Sequence, residues 1–429
     1  MSTAPAGLRI AVVLSTATGG TALHAGMLAA GCRQAGLAVL ALGPAGTRDS
    51  FAAAAASVAG PDAASAPSDP VPQSLITARG GADPGGQGAV LQPGSRGAGG
   101  TGGGIPFHVV DISDRPRPVR DVRAVLRLRR QLRRARPDVV HAHGLRAGAL
   151  TALAVAAGWP SRRPALVVTV HNAPPPGRAA GLVYGLLERT CAARADAVLC
   201  ASADLAARMR QRGARRVAEF DVPAPAAPVP SDAAVRRARA DLGPAGRPVV
   251  LAVARLAGQK GLDVLLAAAS RWQQRVPVPL LAIAGEGPLA GQLAAGARQA
   301  GVELTLLGQR DDVPALLAAA DVVVVPSRWE ARALIVQEAM RAGRPVVASR
   351  VGGIPDLTGP DAALLVPPED AGELAAAVAA VLDDSGLAGR LAAAAQARAA
   401  ALPGLGDAVA AVALVYRDAA ARRRSARSA

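Results

Sequence analysis

Short runs of Val, Leu, Ile and Ala alternate with longer helical stretches along most of this chain, and the alternation is interrupted twice and each time restarts. LRIAVVLST (8–16), LAVLALG (37–43), FHVVDI (107–112), DVVHAH (138–143), ALVVTVHN (165–172) and ADAVLCAS (195–202) each have a strand's length and β-branched content. Between them lie stretches such as TALHAGMLAAGCRQAG (21–36), spaced as amphipathic helices. The proline-rich PAPAAPVP (223–230) interrupts the series. It resumes with RPVVLAVARL (247–256), VPLLAIAG (278–285), VELTLLG (302–308), DVVVVPS (321–327), RPVVAS (344–349) and AALLVPP (362–368). Strands linked by helices form parallel sheets covered on both faces. The expected fold is α/β: two Rossmann-like doubly wound parallel-sheet domains facing a cleft, with ligands at the carboxyl ends of the strands.

This divides the chain into an N-terminal domain (1–225), a linker (226–245), a second domain (246–403) and a C-terminal helix with a basic tail (404–429) expected to pack back on the first domain. From 44 to 106 Gly, Ala, Pro and Ser dominate, and a disordered insertion is expected there. Aromatic residues make up only 2%, so the cores must be built from Val, Leu, Ile and Ala. The same scarcity leaves no stacking platform for nucleic acid, which is not expected as a partner. A formal charge of +16 favours another anionic partner. Cys32, Cys191 and Cys200 have neither even pairing nor metal-ligand spacing, which fits a reducing compartment. No secretory leader and no run of about 18 apolar residues is evident, so a cytoplasmic location is expected. Ten arginines lie between Arg115 and Arg136, and the helix 120–136 sets Val122, Val125, Leu126 and Leu132 on roughly one face. It could rest on acidic lipid at the inner face of the membrane; the plainer alternative is a solvated helix packing its Val and Leu inward.

The chain's only lysine sits in ARLAGQKGLD (254–263). Arg255 and Lys260, with Gly258 and Gly261 and a helix opening near Leu262, make an anion site suited to a diphosphate. The loop is not a P-loop, because G-x-x-x-x-G-K-[ST] is absent. SRWEARALIVQEAM (327–340) sets Glu330 just after a strand and Glu338 about one turn into the next helix. Carboxylates there can accept bonds from sugar or ribose hydroxyls or steady a positive charge; for Glu338 an ordinary helix-surface acid is the alternative. The glycine of GEGP (285–288) allows close backbone approach to a ligand. Gly19 and Gly20 follow the first strand and can cradle a charged group, although G-x-G-x-x-G is missing. His24, His141, His143 and His171 lie at or just after strand ends. Zinc is one reading of them, but no carboxylate or cysteine is spaced to join it, and no metal is expected. His141 and His143 read equally well as structural residues, whereas His171 looks the most ligand-facing.

Together these segments resemble the retaining nucleotide-sugar glycosyltransferases of family 4, which have the GT-B fold. The resemblance is carried by TGGTALH, PDVVHAHG, VVTVHN, VARLAGQKGLD, IAGEGPL and PSRWEARALIVQEAMRAGRPVVAS, the last resembling the family's E-x7-E motif at Glu330 and Glu338. It implies a metal-independent hexosyltransferase with no cofactor, acting between a nucleotide-sugar donor and a sugar or lipid-linked acceptor in cell-surface polysaccharide or glycolipid synthesis. Arg255 and Lys260 would hold the donor diphosphate, Glu338 the ribose and Glu330 the donor sugar. His171 would contact the sugar and assist catalysis. Gly19, Gly20, Gly285, Glu286, Ala333 and Leu334 would complete the donor site. One departure stands out: Ala331-Arg332-Ala333 replaces a Gly-Phe-Gly turn, and Arg332 would then reach an acidic or phosphorylated group. The competing functions are an epimerase or phosphorylase on the same plan, or a non-catalytic sugar-nucleotide binder. A phosphorylase needs a pyridoxal lysine, and Lys260 sits in the wrong type of loop for one.

Overall fold

A computed structural model describes residues 7–15, 20–58, 104–113, 115–156, 159, 163–173 and 177–425. The first unit runs β1 (Arg9–Leu14), α1 (Gly20–Gln34), β2 (Ala38–Gly43), α2 (Arg48–Val58), β3 (Phe107–Val109), α3 (Pro118–Ala135), β4 (Val139–His143), α4 (Leu145–Ala156), β5 (Ala165–Val170), α5 (Arg178–Arg194), β6 (Ala197–Cys200), α6 (Ala203–Gln211) and β7 (Val217–Glu219). The second runs α7 (Asp232–Leu242), β8 (Val249–Val253), α8 (Leu262–Ala269), β9 (Leu280–Ala284), α9 (Ala290–Gln299), β10 (Leu304–Gly308), α10 (Val313–Ala319), β11 (Val322–Val325), α11 (Leu334–Arg341), β12 (Val346–Ser349), α12 (Ile354–Thr358), β13 (Leu364–Val366), α13 (Ala371–Asp383) and α14 (Ser385–Ala401). Helix α15 (Leu405–Ser425) closes the described chain.

Every strand pairing is parallel. The seven-stranded sheet is ordered β3-β2-β1-β4-β5-β6-β7, and the six-stranded sheet β10-β9-β8-β11-β12-β13. Each order reverses direction once, between β1 and β4 and between β8 and β11. Such a reversal opens a crevice at the strands' carboxyl ends. Strand runs such as VVVV and ALVVTV are apolar throughout because both faces are covered. In the first sheet, Ile10, Leu14 and Leu28 pack with α15 on one face, while Val13, Leu128, Leu150 and Met209 fill the other. In the second, Leu316, Val336 and Met340 fill one face and Leu265, Leu293 and Val378 the other.

Three expectations need correction. Residues 44–106 are not structureless throughout, since α2 buries Phe51 and Ala54 against α1. A run of alanines is an excellent helix former, and Phe51, Ala54 and Val58 dock it; residues 59–103 lie outside the described residues. The linker 226–245 is largely helix α7, whose Ser231 caps Ala234 N at 3.3 Å and whose Ala238 and Leu242 enter the second core. In α3 the buried side is Ala124, Leu128 and Leu132, and Val122 and Leu126 face outward. Strand β7, only three residues long, is too short to stand out in the sequence.

The three cysteines are buried and unpaired, and burial pushes their thiols up to about 12. Residues 385–425 carry an 18-residue apolar window of mean hydropathy 1.6, contrary to the expectation that no such run exists. The segment is two helices: α14 buries Ala395 in the second unit, and α15 buries Val412 and Tyr416 in the first. Tyr416 Oη lies 2.7 Å from His141 Nδ1, and His141 Nε2 lies 2.6 Å from Thr169 Oγ1. Tyr416→Phe leaves that imidazole nitrogen buried without a partner. It should cost about 1–3 kcal/mol in urea denaturation; an unchanged midpoint would show that the bond contributes nothing.

Candidate active site

Lys260 and Glu330 are 70 residues apart in sequence and form an ion pair, Nζ to Oε1. Their meeting follows from β8 lying beside β11. The loops leaving these strands are zipped together. Arg328 N donates to Gln259 O at 2.8 Å, Gln259 Nε2 to Trp329 O at 2.8 Å, and Arg328 Nη1 to Gly258 O at 2.6 Å. Gly261 adopts φ +61°, and a β-carbon there would collide with Pro326 O. Only glycine lets the loops close this far. Ser327 Oγ donates to the same Glu330 oxygen at 2.9 Å, and Glu330 is 8% exposed. The buried carboxylate thus has a cation and a hydroxyl, whereas the ammonium has three donors and spends one here.

Helix α8 begins at Leu262, which turns the positive end of its dipole toward this loop. Arg255 is exposed on the loop after β8. The GEGP turn is held under it: Leu256 N donates to Glu286 O at 2.9 Å, and Gly285, at φ +134°, leaves no room for a β-carbon beneath Ala254 O. Two cations and a helix end therefore surround a loop whose neighbours are backbone, an arrangement fit to hold a diphosphate.

Glu338 is the fifth residue of α11. Burial pushes its carboxyl up to about 7, and Arg341 one turn on opposes the rise. The same helix is bolted to the segment joining the units. Gln337 Oε1 accepts from Ala224 N at 3.0 Å, Gln337 Nε2 donates to Val222 O at 2.9 Å, and Arg341 Nη1 donates to Pro225 O at 2.8 Å. Arg332, expected to meet an acidic or phosphorylated ligand group, is instead ion-paired with Asp221. The loop it belongs to bridges the units, with Ala331 inside the first unit's core and Trp329 Nε1 donating to Asp204 Oδ2 at 3.1 Å.

On the first sheet, His143 ends β4, His171 follows β5 and His24 lies in α1. His143 Nδ1 is 3.1 Å from His171 Nε2 in a hydrogen bond whose direction depends on the tautomers. Ligand atoms of His24, His143 and His171 lie within 4.8 Å of one another. Both nitrogens of His24 and Nε2 of His143 are buried without a partner. Burial drives His171 down to about 4, and burial with the neighbouring histidines drives His24 and His143 well below the usual range, so all three are neutral near pH 7. Three neutral imidazoles are a set that can take a divalent cation, although two of the nitrogens already bond each other.

The structure thus brings Lys260 to Glu330, and Gly285 under the loop of Arg255. It also sets Gly20 against Leu334, whose Cδ1 would lie 3.3 Å from a β-carbon at Gly20. Ala333 is buried in the second unit's core, Glu286 is exposed, and His171 has His143 of its own unit as partner. Gly19 lies outside the described residues. Sequence reasoning missed Ser327, which orients Glu330, and the Gln259–Arg328 zipper. A hydroxyl three residues before a buried acid, at a strand's end, was the available signal for the first.

Residues 19–226 match the glycosyl transferase 4-like domain family, and residues 236–398 match the glycosyl transferases group 1 family. A glycogen synthase of Mycobacterium tuberculosis (strain ATCC 25618 / H37Rv) is 36% identical over 295 residues, covering 65% of this chain and 68% of the relative. An alpha-D-kanosaminyltransferase of Streptomyces kanamyceticus is 35% identical over 173 residues, covering 38% of this chain and 44% of the relative. Among solved structures, Anabaena Alr3699/HepE in complex with UDP-glucose superposes with a TM-score of 0.73 at 19% identity, covering 96% of this chain and 100% of the other. At that identity the likeness speaks to the fold alone.

Proposed function

The chain belongs to the glycosyltransferases of the GT-B fold, joining a 4-like domain to a group 1 domain, and from that premise we propose that it is a retaining, metal-independent hexosyltransferase of family 4. It moves a sugar from a nucleoside-diphosphate sugar to an acceptor hydroxyl. The acceptor is a sugar or lipid-linked sugar handled on the cytoplasmic side of the membrane, in cell-surface polysaccharide or glycolipid synthesis.

The observation that carries this reading is the Lys260–Glu330–Ser327 cluster at the β8/β11 crevice. Lys260, with donors to spare, and Arg255 neutralise the diphosphate, helped by the positive end of α8. Glu330 receives a donor-sugar hydroxyl near the reacting carbon. Glu338 takes the ribose hydroxyls, and His171 meets the sugar from the opposite wall. Gly19 and Gly20 let backbone amides approach the donor phosphate or the acceptor. Gly285, Glu286, Ala333 and Leu334 complete the donor wall. The bond from the anomeric carbon to the phosphate oxygen breaks with its electron pair leaving on the diphosphate. The acceptor oxygen attacks from the same face, and its proton passes to the departing phosphate. The charge of the leaving group is met by fixed cations, so the step calls for no divalent metal. A GDP-mannose-dependent alpha-(1-6)-phosphatidylinositol monomannoside mannosyltransferase of Mycolicibacterium smegmatis, 38% identical over 141 residues, supports a nucleotide-sugar donor.

Thermal denaturation with UDP, GDP and ADP tests the donor site first. A nucleotide at a hundred times its Kd stabilises a folded chain by about 2.7 kcal/mol. One of the three should raise the melting temperature in a dose-dependent way, and three flat titrations would end the proposal. The anomeric configuration of the product, read by proton NMR, tests retention, and an inverted linkage would overturn that part.

A further inference from the structure

We propose that the outer faces of α3 and α5 dock on an acidic phospholipid bilayer. Eleven large apolar side chains are exposed among the described residues, and seven of them lie on α3, α4 and α5. Val119, Val122 and Leu126 on α3 are 67%, 60% and 59% exposed, and Leu182 and Leu186 on α5 are 78% and 66% exposed. A helix that merely faced water would carry polar residues at such positions. The three helices pack on the same face of the first sheet, with α4 between the other two. They run antiparallel to the strands. The first halves of α3 and α5, which hold these residues, therefore lie at the carboxyl ends of the strands, beside the crevice.

Charge is matched to the same surface. Arg120, Arg123, Arg127 and Arg130 are exposed on α3 and, with Leu126, line a groove of about 630 Å3. The one acid on the helix, Asp121, accepts a bond from Arg146 at 2.6 Å, and Asp111 lies 3.9 Å from Arg120. The arginines keep a net positive surface. Nucleic acid would use the arginines but not the leucines. A bilayer with anionic headgroups uses both, seating arginines at the phosphates and apolar side chains just below them. Apolar side chains on two helices give the contact a breadth that a single amphipathic helix lacks. The docking names the surface that presents the acceptor of the proposed transfer and rests on that reading for its purpose only.

Co-sedimentation of the full chain with vesicles tests it without any transfer assay. Vesicles of phosphatidylcholine with about one-third phosphatidylglycerol should bind about tenfold or more tightly than phosphatidylcholine alone, and added salt should weaken the difference. Arg123→Glu with Arg127→Glu should remove the preference, and Leu182→Ser with Leu186→Ser should lower binding severalfold. Both variants should keep the wild-type melting temperature and its rise with nucleotide. Equal binding to the two vesicles, or a charge-reversed chain that binds as wild type, overturns the proposal. So does a serine variant with unchanged binding, or self-association in sedimentation that the serine changes abolish. Docking by a chain that transfers no sugar would leave this inference standing while the functional one falls.

Discussion

Replacing Lys260 with alanine is expected to lower turnover by about 10²- to 10³-fold, the usual loss when one donor to a developing anion is removed. The effect has two parts. In the proposed transfer the ammonium would neutralise charge as the diphosphate leaves, and in the structure it holds Glu330, whose side chain is 10% exposed, through their ion pair. Breaking a buried pair by deleting one partner costs about 3–5 kcal/mol. Lys260 is itself 22% exposed on its side chain, so water will soften that penalty. Affinity for the nucleoside diphosphate separates the parts. If Lys260 touches the diphosphate, Lys260→Ala weakens product binding and Glu330→Gln does not. If it only positions Glu330, the double variant is no worse than Glu330→Gln alone. Lys260→Arg should be intermediate, because a planar fork cannot both bond Glu330 and follow a leaving phosphate as a compact ammonium can. Undiminished turnover in Lys260→Ala would remove this residue from the mechanism.

The second large effect concerns Glu338, and here stability and activity should move in opposite directions. Burial raises its carboxyl from 4.5 to about 7. Between those values the folded chain binds more protons than the unfolded one, so this group's contribution to stability is full below pH 4.5 and is lost as pH rises through 7. The rise is worth about 3 kcal/mol at most, and somewhat less for a group that water still reaches. Glu338→Gln should therefore raise the melting temperature at pH 8 and leave it almost unchanged at pH 4. The glutamine makes a poorer partner for ribose hydroxyls than a carboxylate, so nucleotide affinity should fall by about tenfold. In the wild type, affinity should likewise weaken as pH drops from 8 to 6, and in Glu338→Gln the decline should be shallower, leaving only the titration of the nucleotide's own terminal phosphate. A variant no more stable than wild type at pH 8 would refute the buried-charge account, and undiminished affinity would refute the ribose role. A ligand-binding carboxylate kept at a cost in stability would be the usual trade at a working site.

Much of the fold was legible because its signals are local. Strand runs such as VVLAV and VVVV, and the helices between them, announce themselves by period and by β-branched content. Helix α2 is hard to read because its sequence lies in a region of Ala, Gly and Pro, where burial of only Phe51, Ala54 and Val58 docks it. In α3 a Val–Leu stripe can be drawn on more than one side, and only packing selects Ala124, Leu128 and Leu132. Arg332 was legible as an unusual residue, but its partner Asp221 comes from the other unit and no spacing rule reaches it.

The sequence by itself determined the two parallel-sheet units, the loops at the strand ends and the residues able to do chemistry there, because each depends on neighbours a few positions away. The tertiary structure alone decided which loops meet. Lys260 faces Glu330 because β8 and β11 are adjacent where the strand order reverses, although β9 and β10 come between them in the chain. His24, His143 and His171 gather for the same reason around β1, β4 and β5. Strand order is set by the packing of whole helices on a sheet, a long-range term that no short window of residues contains.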